Sequence, residues 1–289
     1  MSAAVESPQA PVLAVEDLHV RFATPHGEVH AVRGVSFEVG RERVGIVGES
    51  GSGKTMTGRA ILRLAPRNAA VAARRLAFAG EDLLAASETR MRRIRGRHIS
   101  MILQDPKFSL NPVMRVGDQV AEAYRASRKA TRAEARERAL EMLEQVRIHD
   151  PARVYVLHPH EVSGGMGQRI MIAMMLVAEP ELLIADEPTS ALDVTVRAQV
   201  LAILDDLVAK RGLGLVFISH DLNLVATFCD RVLVMYAGRI VESLRAADLA
   251  HATHPYTRGL LESLPRLDAP RDRLAVLARD PAWLEAGAA

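Results

Sequence analysis

Cysteine is nearly absent from this chain of 289 residues, which contains only Cys229. An internal disulfide is therefore excluded. The chain also lacks an opening basic stretch followed by an apolar core, which is the pattern of a secretory signal. These features predict a protein of the reducing cytoplasm, and the length suits one large or two smaller domains.

Long hydrophobic runs are lacking as well. The longest uncharged apolar segment, residues 170–178, has about half of the ~20 residues that a membrane-spanning helix needs. We therefore expect a protein that is soluble or peripheral to a membrane.

Neither sign of charge dominates, because 37 Lys and Arg residues stand against 35 Asp and Glu residues. Ten arginines nevertheless fall between Arg59 and Arg97, and such a cluster can bind nucleic acid. Aromatic residues make up only 4% of the chain and do not alternate with these arginines. A solvated face, or a segment close to a nucleotide, is the favoured interpretation.

A glycine-rich segment fits the pattern G-x-x-x-x-G-K-[ST], in which backbone N–H groups and a helix N-terminus hold phosphate. The lysine of this pattern reaches the β and γ oxygens, and the hydroxyl contacts Mg²⁺. An apolar strand, residues 44–47, precedes the segment and a helix is predicted over 55–64, which is the order that the pattern requires. The predicted phosphate-binding residues are Gly48, Glu49, Ser50, Gly51, Ser52, Gly53, Lys54 and Thr55.

Two carboxylates, Asp186 and Glu187, follow the apolar run 182–185. Ligands gather at the C-terminal ends of strands in open α/β sheets. Asp186 can hold Mg²⁺ opposite Thr55, and Glu187 can polarise an attacking water. Without the glycine-rich segment, an acidic pair that caps a loop would be the better interpretation.

Two further polar residues lie at strand ends. His220 follows the apolar strand 215–218 and is predicted at the same sheet edge, where a hydrogen bond to a γ-phosphate is favoured over a purely structural role. Gln104 lies where the strand pattern gives way to a helical one. An amide at such a hinge can contact the metal or water in one state and release it in another.

A second glycine-containing segment, Ser163-Gly164-Gly165, begins 109 residues after Lys54 and precedes the apolar helix 170–177. Free N–H groups and a hydroxyl at a helix N-terminus form a phosphate-shaped site. A glycine pair before a helix is usually only a turn, and one chain has no obvious second nucleotide for this site.

The hydrophobic pattern changes along the chain. Residues 1–11 read as a loose tail, and residues 12–22 and 32–39 alternate as strands, which predicts an N-terminal antiparallel sheet. A charged helical pattern between 106 and 162 predicts an inserted helical subdomain. Strands and helices alternate again from 182, which predicts a parallel sheet, and residues 266–289 form a helix-prone extension.

The order of these motifs, with Ser190-Ala191-Leu192-Asp193 between the carboxylates and His220, resembles the ATPase subunit of ATP-binding cassette (ABC) transporters. The resemblance covers residues 12–265. It implies an α/β fold: a P-loop NTPase ABC ATPase core with an N-terminal antiparallel β subdomain and an inserted α-helical subdomain at about 106–165. It also implies that the phosphate loop of one subunit faces the Ser-Gly-Gly signature of another, enclosing ATP and Mg²⁺ at a dimer interface.

The resemblance also implies roles for single residues. Glu187 is the implied general base, His220 senses the γ-phosphate, Asp193 communicates across the dimer, and Gln104 links the site to the membrane subunits. Phe22 stands where an aromatic side chain stacks on adenine, although it could equally be a core residue of a strand. The other implied ATP contacts are Lys54, which is also catalytic, Thr55, Met56, Ser163, Gly164, Gly165 and Asp186, and the implied metal ligands are Thr55, Gln104 and Asp186.

Shorter motifs are similar to those of oligopeptide and nickel importer ATPases, namely residues 109–112, 158–161 and 254–257, with Met166 after the signature. These imply import of a peptide, nickel or a metal chelate, delivered by an extracytoplasmic binding protein. Two permease subunits and two ATPases, which are often non-identical, would work at the cytoplasmic face of the plasma membrane. Glu42 replaces a common glycine, and the cysteines of many family tails are lacking, so no metal cluster is expected in the tail.

The main alternative is a non-transport ABC ATPase that acts on DNA or ribosomes. Such chains carry a long coiled coil between their signatures or two cassettes in tandem, and the 109-residue spacing fits neither. A catalytically inactive regulatory subunit is disfavoured because Lys54, Asp186, Glu187 and His220 are all present. Transport is therefore favoured, and the cargo stays open.

Overall fold

The computed structural model describes residues 11–103, 110–190, 193–264, 280 and 283. Gln104 lies outside the described residues, and so do Ser109, Ala191 and Leu192. The strands are β1 (Leu13–Thr24), β2 (Gly27–Val39), β3 (Arg43–Val47), β4 (Ala69–Ala72), β5 (Arg75–Phe78), β6 (Glu81–Asp82), β7 (Ile99–Ile102), β8 (Leu182–Asp186), β9 (Gly214–Ser219), β10 (Arg231–Tyr236) and β11 (Arg239–Arg245). The helices are α1 (Lys54–Ile61), α2 (Glu88–Ile94), α3 (Val116–Ser127), α4 (Arg132–Gln145), α5 (Pro151–Tyr155), α6 (Gly164–Leu176), α7 (Val194–Arg211), α8 (Leu222–Phe228) and α9 (Pro255–Glu262), with short 3-10 helices at Pro159–Glu161 and Ala246–His251.

The central sheet has the strand order β11-β10-β3-β9-β8-β7. All neighbouring strands from β10 to β7 are parallel, and β11 pairs antiparallel with β10. Val47 pairs with Ser219, and Asp186 pairs with Ile218. The C-terminal ends of β3, β9 and β8 therefore lie side by side, so the residues that follow these strands share one edge of the sheet.

The N-terminal sheet has the order β2-β1-β5-β6, and β4 also pairs with β1. Its pairs are antiparallel. The predicted antiparallel sheet and parallel sheet are thus confirmed. The hydrophobic pattern did not indicate β4, β5, β6 or β11, and α1 ends at Ile61, earlier than predicted.

Alternate residues of the central sheet divide between two hydrophobic cores, as expected for strands buried on both faces. On β8, Leu183 and Ala185 pack in the core that includes α3 to α6, whereas Leu182 and Ile184 pack with the N-terminal sheet and α1. Helices α1 and α6 therefore lie against opposite faces of the central sheet.

Helices α3 to α6 occupy the chain between β7 and β8: α3, α4 and α5 lie within the range 106–162 where a helical pattern was predicted, and α6 begins beyond it, at Gly164. Helix α4 begins with a full capping box, in which Thr131 and Glu134 bond each other's backbone N–H groups. No helix in the described ranges is both long enough and apolar enough to span a bilayer.

Candidate functional site

The predicted phosphate loop, residues 48–55, connects the C-terminal end of β3 to the first turn of α1. Three of its glycines have positive φ angles: Gly48 at 152°, Gly51 at 82° and Gly53 at 99°. A Cβ atom would lie 2.1 Å from the Met235 carbonyl oxygen at Gly48, and 2.5 Å from the Ala31 carbonyl oxygen at Gly53. Other residue types would clash at these two positions, because neighbouring backbone approaches the loop closely.

Lys54 extends its side chain back into the loop that it terminates. Its Nζ donates hydrogen bonds to the carbonyl oxygens of Gly48, at 2.8 Å, and Glu49, at 2.9 Å. Burial lowers the pKa of the Lys54 ammonium, while the nearby carboxylates of Glu187 and Asp186 act in the opposite direction. The loop thus surrounds a fixed positive charge.

Thr55 and Asp186 meet although they are 131 residues apart in the chain, and the Thr55 hydroxyl donates to Asp186 Oδ1 at 3.0 Å. Asp186 is only 2% exposed. Burial raises the pKa of its carboxyl, and the hydrogen bond from Thr55 lowers it. A hydroxyl and a carboxylate next to a phosphate loop match the oxygen ligands that Mg²⁺ prefers, so these residues fit that ion.

Glu187 and His220 face each other across the ends of β8 and β9. His220 Nδ1 lies 3.0 Å from Glu187 Oε1, with the Glu187 side chain 16% exposed and the His220 side chain 61% exposed. Glu187 has a φ angle of 48°, which is unusual for a residue with a side chain, and its N–H donates to the Ile218 carbonyl. The Glu187 carboxylate and the His220 ring are therefore paired at the sheet edge from which the predicted phosphate loop also starts.

The Ser-Gly-Gly segment forms the N-terminus of α6. The Ser163 hydroxyl accepts a hydrogen bond from the Met166 N–H, so it caps its own helix. A Cβ atom at Gly165 would lie 2.9 Å from Val196 on α7, whereas a Cβ atom at Gly164 would meet nothing within 4 Å. Packing within the chain accounts for the glycine at 165 but not for the one at 164.

Three other residues that the resemblance assigned to ATP binding, Asp193, Phe22 and Met56, have contacts within their own elements or the N-terminal core. Asp193 caps α7 by accepting the Val196 N–H at 3.0 Å. Phe22 lies on β1 opposite Val29 and Ala69, and both Phe22 and Met56 are partly buried against the core of the N-terminal sheet.

Sequence reasoning missed Gln168, a polar residue of α6 that lies two residues before its apolar stretch. It is buried, and its Nε2 donates to the Pro188 carbonyl at 2.5 Å. This bond joins the helix of the Ser-Gly-Gly segment to the residue that follows Glu187. The available signal was a glutamine next to the apolar part of the helix, since a buried amide there needs hydrogen-bond partners.

The family model described as "ABC transporter" matches residues 32–190, which is more than half of the chain. This chain belongs to the ABC transporter family. The chain is the ATP-binding subunit of such a transporter, an ATPase that couples ATP hydrolysis to transport. Such subunits dimerise and work with membrane permeases. The resemblance predicted from the motifs is confirmed.

Several ATP-binding proteins of peptide transporters are similar in sequence to this chain over about nine tenths of its length. A probable peptide ABC transporter ATP-binding protein of Sinorhizobium fredii is 51% identical over 273 residues, covering 93% of this chain and 81% of the relative. The dipeptide transport ATP-binding protein DppD of Bacillus subtilis is 49% identical over 260 residues, covering 89% and 78%. The oligopeptide transport ATP-binding protein OppD of Escherichia coli is 44% identical over 272 residues, covering 93% and 80%.

Solved structures of ABC ATPases share the fold. The dimeric structure of a bacterial ABC transporter cassette, MJ0796, has a TM-score of 0.71 at 25% identity, covering 81% of this chain and 98% of that chain. CbiO1 of Clostridium perfringens, part of an ABC transporter complex, has a TM-score of 0.72 at 24% identity, covering 84% and 92%. These likenesses confirm the predicted fold class.

Proposed function

We propose that this ABC ATPase powers the import of peptides and that the residues at the shared edge of the central sheet hydrolyse its ATP. The observation that carries the proposal is the meeting of the phosphate loop, Asp186, Glu187 and His220 at the ends of three neighbouring strands. The peptide class is supported by the names of the three relatives. None of these three is named for nickel or a metal chelate, the other cargoes considered.

In this proposal Lys54 and the loop N–H groups hold the phosphates of ATP, and Glu187 accepts a proton from the attacking water. His220 orients the Glu187 carboxylate through the 3.0 Å contact and donates to the γ-phosphate as charge develops there. Thr55 and Asp186 would hold Mg²⁺, together with Gln104 if the predicted hinge brings its amide into the site. The ion would neutralise charge on the phosphate oxygens.

We further propose that each ATP is enclosed by two subunits. The two helix N-termini that are predicted to bind phosphate, those of α1 and α6, belong to helices on opposite faces of the central sheet. Gly164 has open space beside it, which supports close approach by a group from outside the chain. The Ser163–Gly165 segment would therefore complete the site of a second ATPase subunit, related or identical, with Asp193 at the same interface.

The remaining partners follow from the same proposal. Two integral-membrane permeases would dock on the ATPase pair at the cytoplasmic face of the plasma membrane, and an extracytoplasmic binding protein would deliver the cargo. ATP binding would close the dimer and hydrolysis would reopen it, so that the equilibrium between the two states drives the permeases. Contacts from Lys54 and His220 to the γ-phosphate would bias this equilibrium toward the closed state.

A reconstituted transporter tests the peptide assignment. We expect ATPase activity of the complex, assembled with its own permeases and binding protein in vesicles, to rise on addition of peptides, with uptake of a labelled peptide. Nickel salts serve as the matched control and should not stimulate hydrolysis. Stimulation by nickel alone, or by no member of a peptide mixture, would contradict the proposal.

His220 can be tested in the same assay. We expect His220→Ala to lower kcat by about 10²-fold, because one donor to the developing charge is lost, with ATP affinity changed by no more than about twofold. His149→Ala, at an exposed histidine far from the site in the sequence, is the control. An unchanged kcat in His220→Ala would return His220 to a structural role.

A further inference from the structure

The motif His254-Pro255-Tyr256-Thr257 has no role in the chemistry described above, yet it lies beside the phosphate loop. Tyr256 is on α9 and is fully buried, with 0% of its surface exposed. Its hydroxyl oxygen accepts a hydrogen bond from the Glu49 backbone N–H at 3.1 Å, across a separation of 207 residues. A residue near the C-terminal end of the chain thus contacts the first turn of the loop.

The ring of Tyr256 is held in an aromatic cluster that also borders the loop. Its centroid lies 4.5 Å from the ring of Tyr236 and 5.9 Å from the ring of Trp283. Tyr236 and Ala237 line a hollow together with residues 49–52 of the loop. In the turn between β10 and β11, the Gly238 N–H donates to the Ser52 carbonyl at 3.0 Å. The loop is therefore supported from one side by α9 and the end of β10.

Helix α9 is itself fixed to the central sheet. Glu242 on β11 accepts the N–H groups of Thr253, at 2.7 Å, and His254, at 3.2 Å, and also the Thr253 hydroxyl at 3.0 Å. These bonds hold the start of α9, one turn from Tyr256, against a strand. The packing of α9 against the core therefore sets the position of the Tyr256 hydroxyl.

We propose that Tyr256 is a positioning residue of the nucleotide site, an inference that rests on the proposed role of residues 48–55 in holding ATP. Tyr256 accepts the Glu49 N–H and so fixes the backbone between Gly48 and Glu49. The carbonyl oxygens of these two residues accept hydrogen bonds from the Lys54 ammonium. The geometry of the phosphate site then depends on the C-terminal part of the chain. Trp283, the single tryptophan of the chain, contacts the same cluster and reports on it.

Tyr256→Phe removes the hydroxyl and keeps the ring. We expect it to raise the KM for ATP, and the midpoint of the ATP-induced change in Trp283 fluorescence, by about 3- to 10-fold, with kcat within about twofold. Tyr155→Phe is the matched control, because it removes a hydroxyl that donates to Asp118 at 2.9 Å within the helical region. It should leave both ATP readouts within about twofold of the unaltered chain.

Amide hydrogen exchange gives a second readout that needs no nucleotide. We expect the Glu49 N–H to be protected at least about tenfold in the unaltered chain and to lose this protection in Tyr256→Phe. A Tyr256→Phe chain with unchanged KM, or equal losses in both tyrosine variants, would overturn the proposal. If the unaltered chain bound no ATP, the proposed function would fail, while the exchange of Glu49 would still decide the role of Tyr256. If Tyr256→Phe did not fold, the unaltered chain would still test the role of Tyr256, because an unprotected Glu49 N–H there would overturn that role.

Discussion

Replacing Glu187 with glutamine should abolish ATP turnover while leaving ATP binding intact. Glutamine has nearly the same shape and can still contact His220, but it cannot accept a proton from water. We expect the hydrolysis rate to fall by about 10²- to 10⁴-fold, which is the usual contribution of a general base. A dimer closed around ATP should accumulate, because hydrolysis is the step that reopens it. Steady-state phosphate release and size-exclusion chromatography with ATP measure the two effects.

The control for this change is Glu181→Gln, just before the opposite end of β8. Glu181 is exposed and pairs with His98 at 2.8 Å, so its neutralisation only weakens one surface ion pair and leaves the site untouched. Its turnover should remain within about twofold of the unaltered chain. Normal hydrolysis in Glu187→Gln would rule out Glu187 as the base, whatever the state of the dimer.

Replacing Lys54 with methionine should weaken both ATP binding and turnover. Methionine approximates the length of lysine and suits a buried position, but it leaves the phosphates without the positive charge that the loop encloses. We expect kcat/KM to fall by about 10²- to 10³-fold, as for loss of a preorganised electrostatic contact. Calorimetric titration with ATP and steady-state kinetics separate this result from that of Glu187→Gln, in which binding persists.

Lys210→Met is the matched control, because Lys210 is an exposed lysine on α7 whose partner is Asp206, at 3.6 Å. Removal of such a surface pair changes stability by less than about 1 kcal/mol. Its ATP affinity should equal that of the unaltered chain. Retained ATP affinity and turnover in Lys54→Met would contradict the assignment of residues 48–55 as the phosphate site.

Local patterns predicted a large part of this fold. The order of strand, loop and helix was predicted from an apolar run, a glycine-rich segment and a helical pattern over 55–64, and the structure has it as β3, the loop and α1, with α1 at Lys54–Ile61. The buried strands β8, β9 and β10 were predicted from short apolar runs between helical segments. By contrast, β4 to β6 are short and weakly patterned, so their pairing with β1 depends on contacts that only the folded chain provides.

The sequence by itself determined which residues are candidates for the chemistry, because the type and spacing of glycine, lysine and carboxylate residues are local properties of the chain. The tertiary structure decided how they meet: Thr55 on Asp186, Glu187 on His220, Gln168 on Pro188 and Glu49 on Tyr256. It also decided that α1 and α6 lie on opposite faces of the central sheet. These contacts join segments 20 to 207 residues apart, and they depend on strand order and helix packing, which hydrophobic periodicity does not encode.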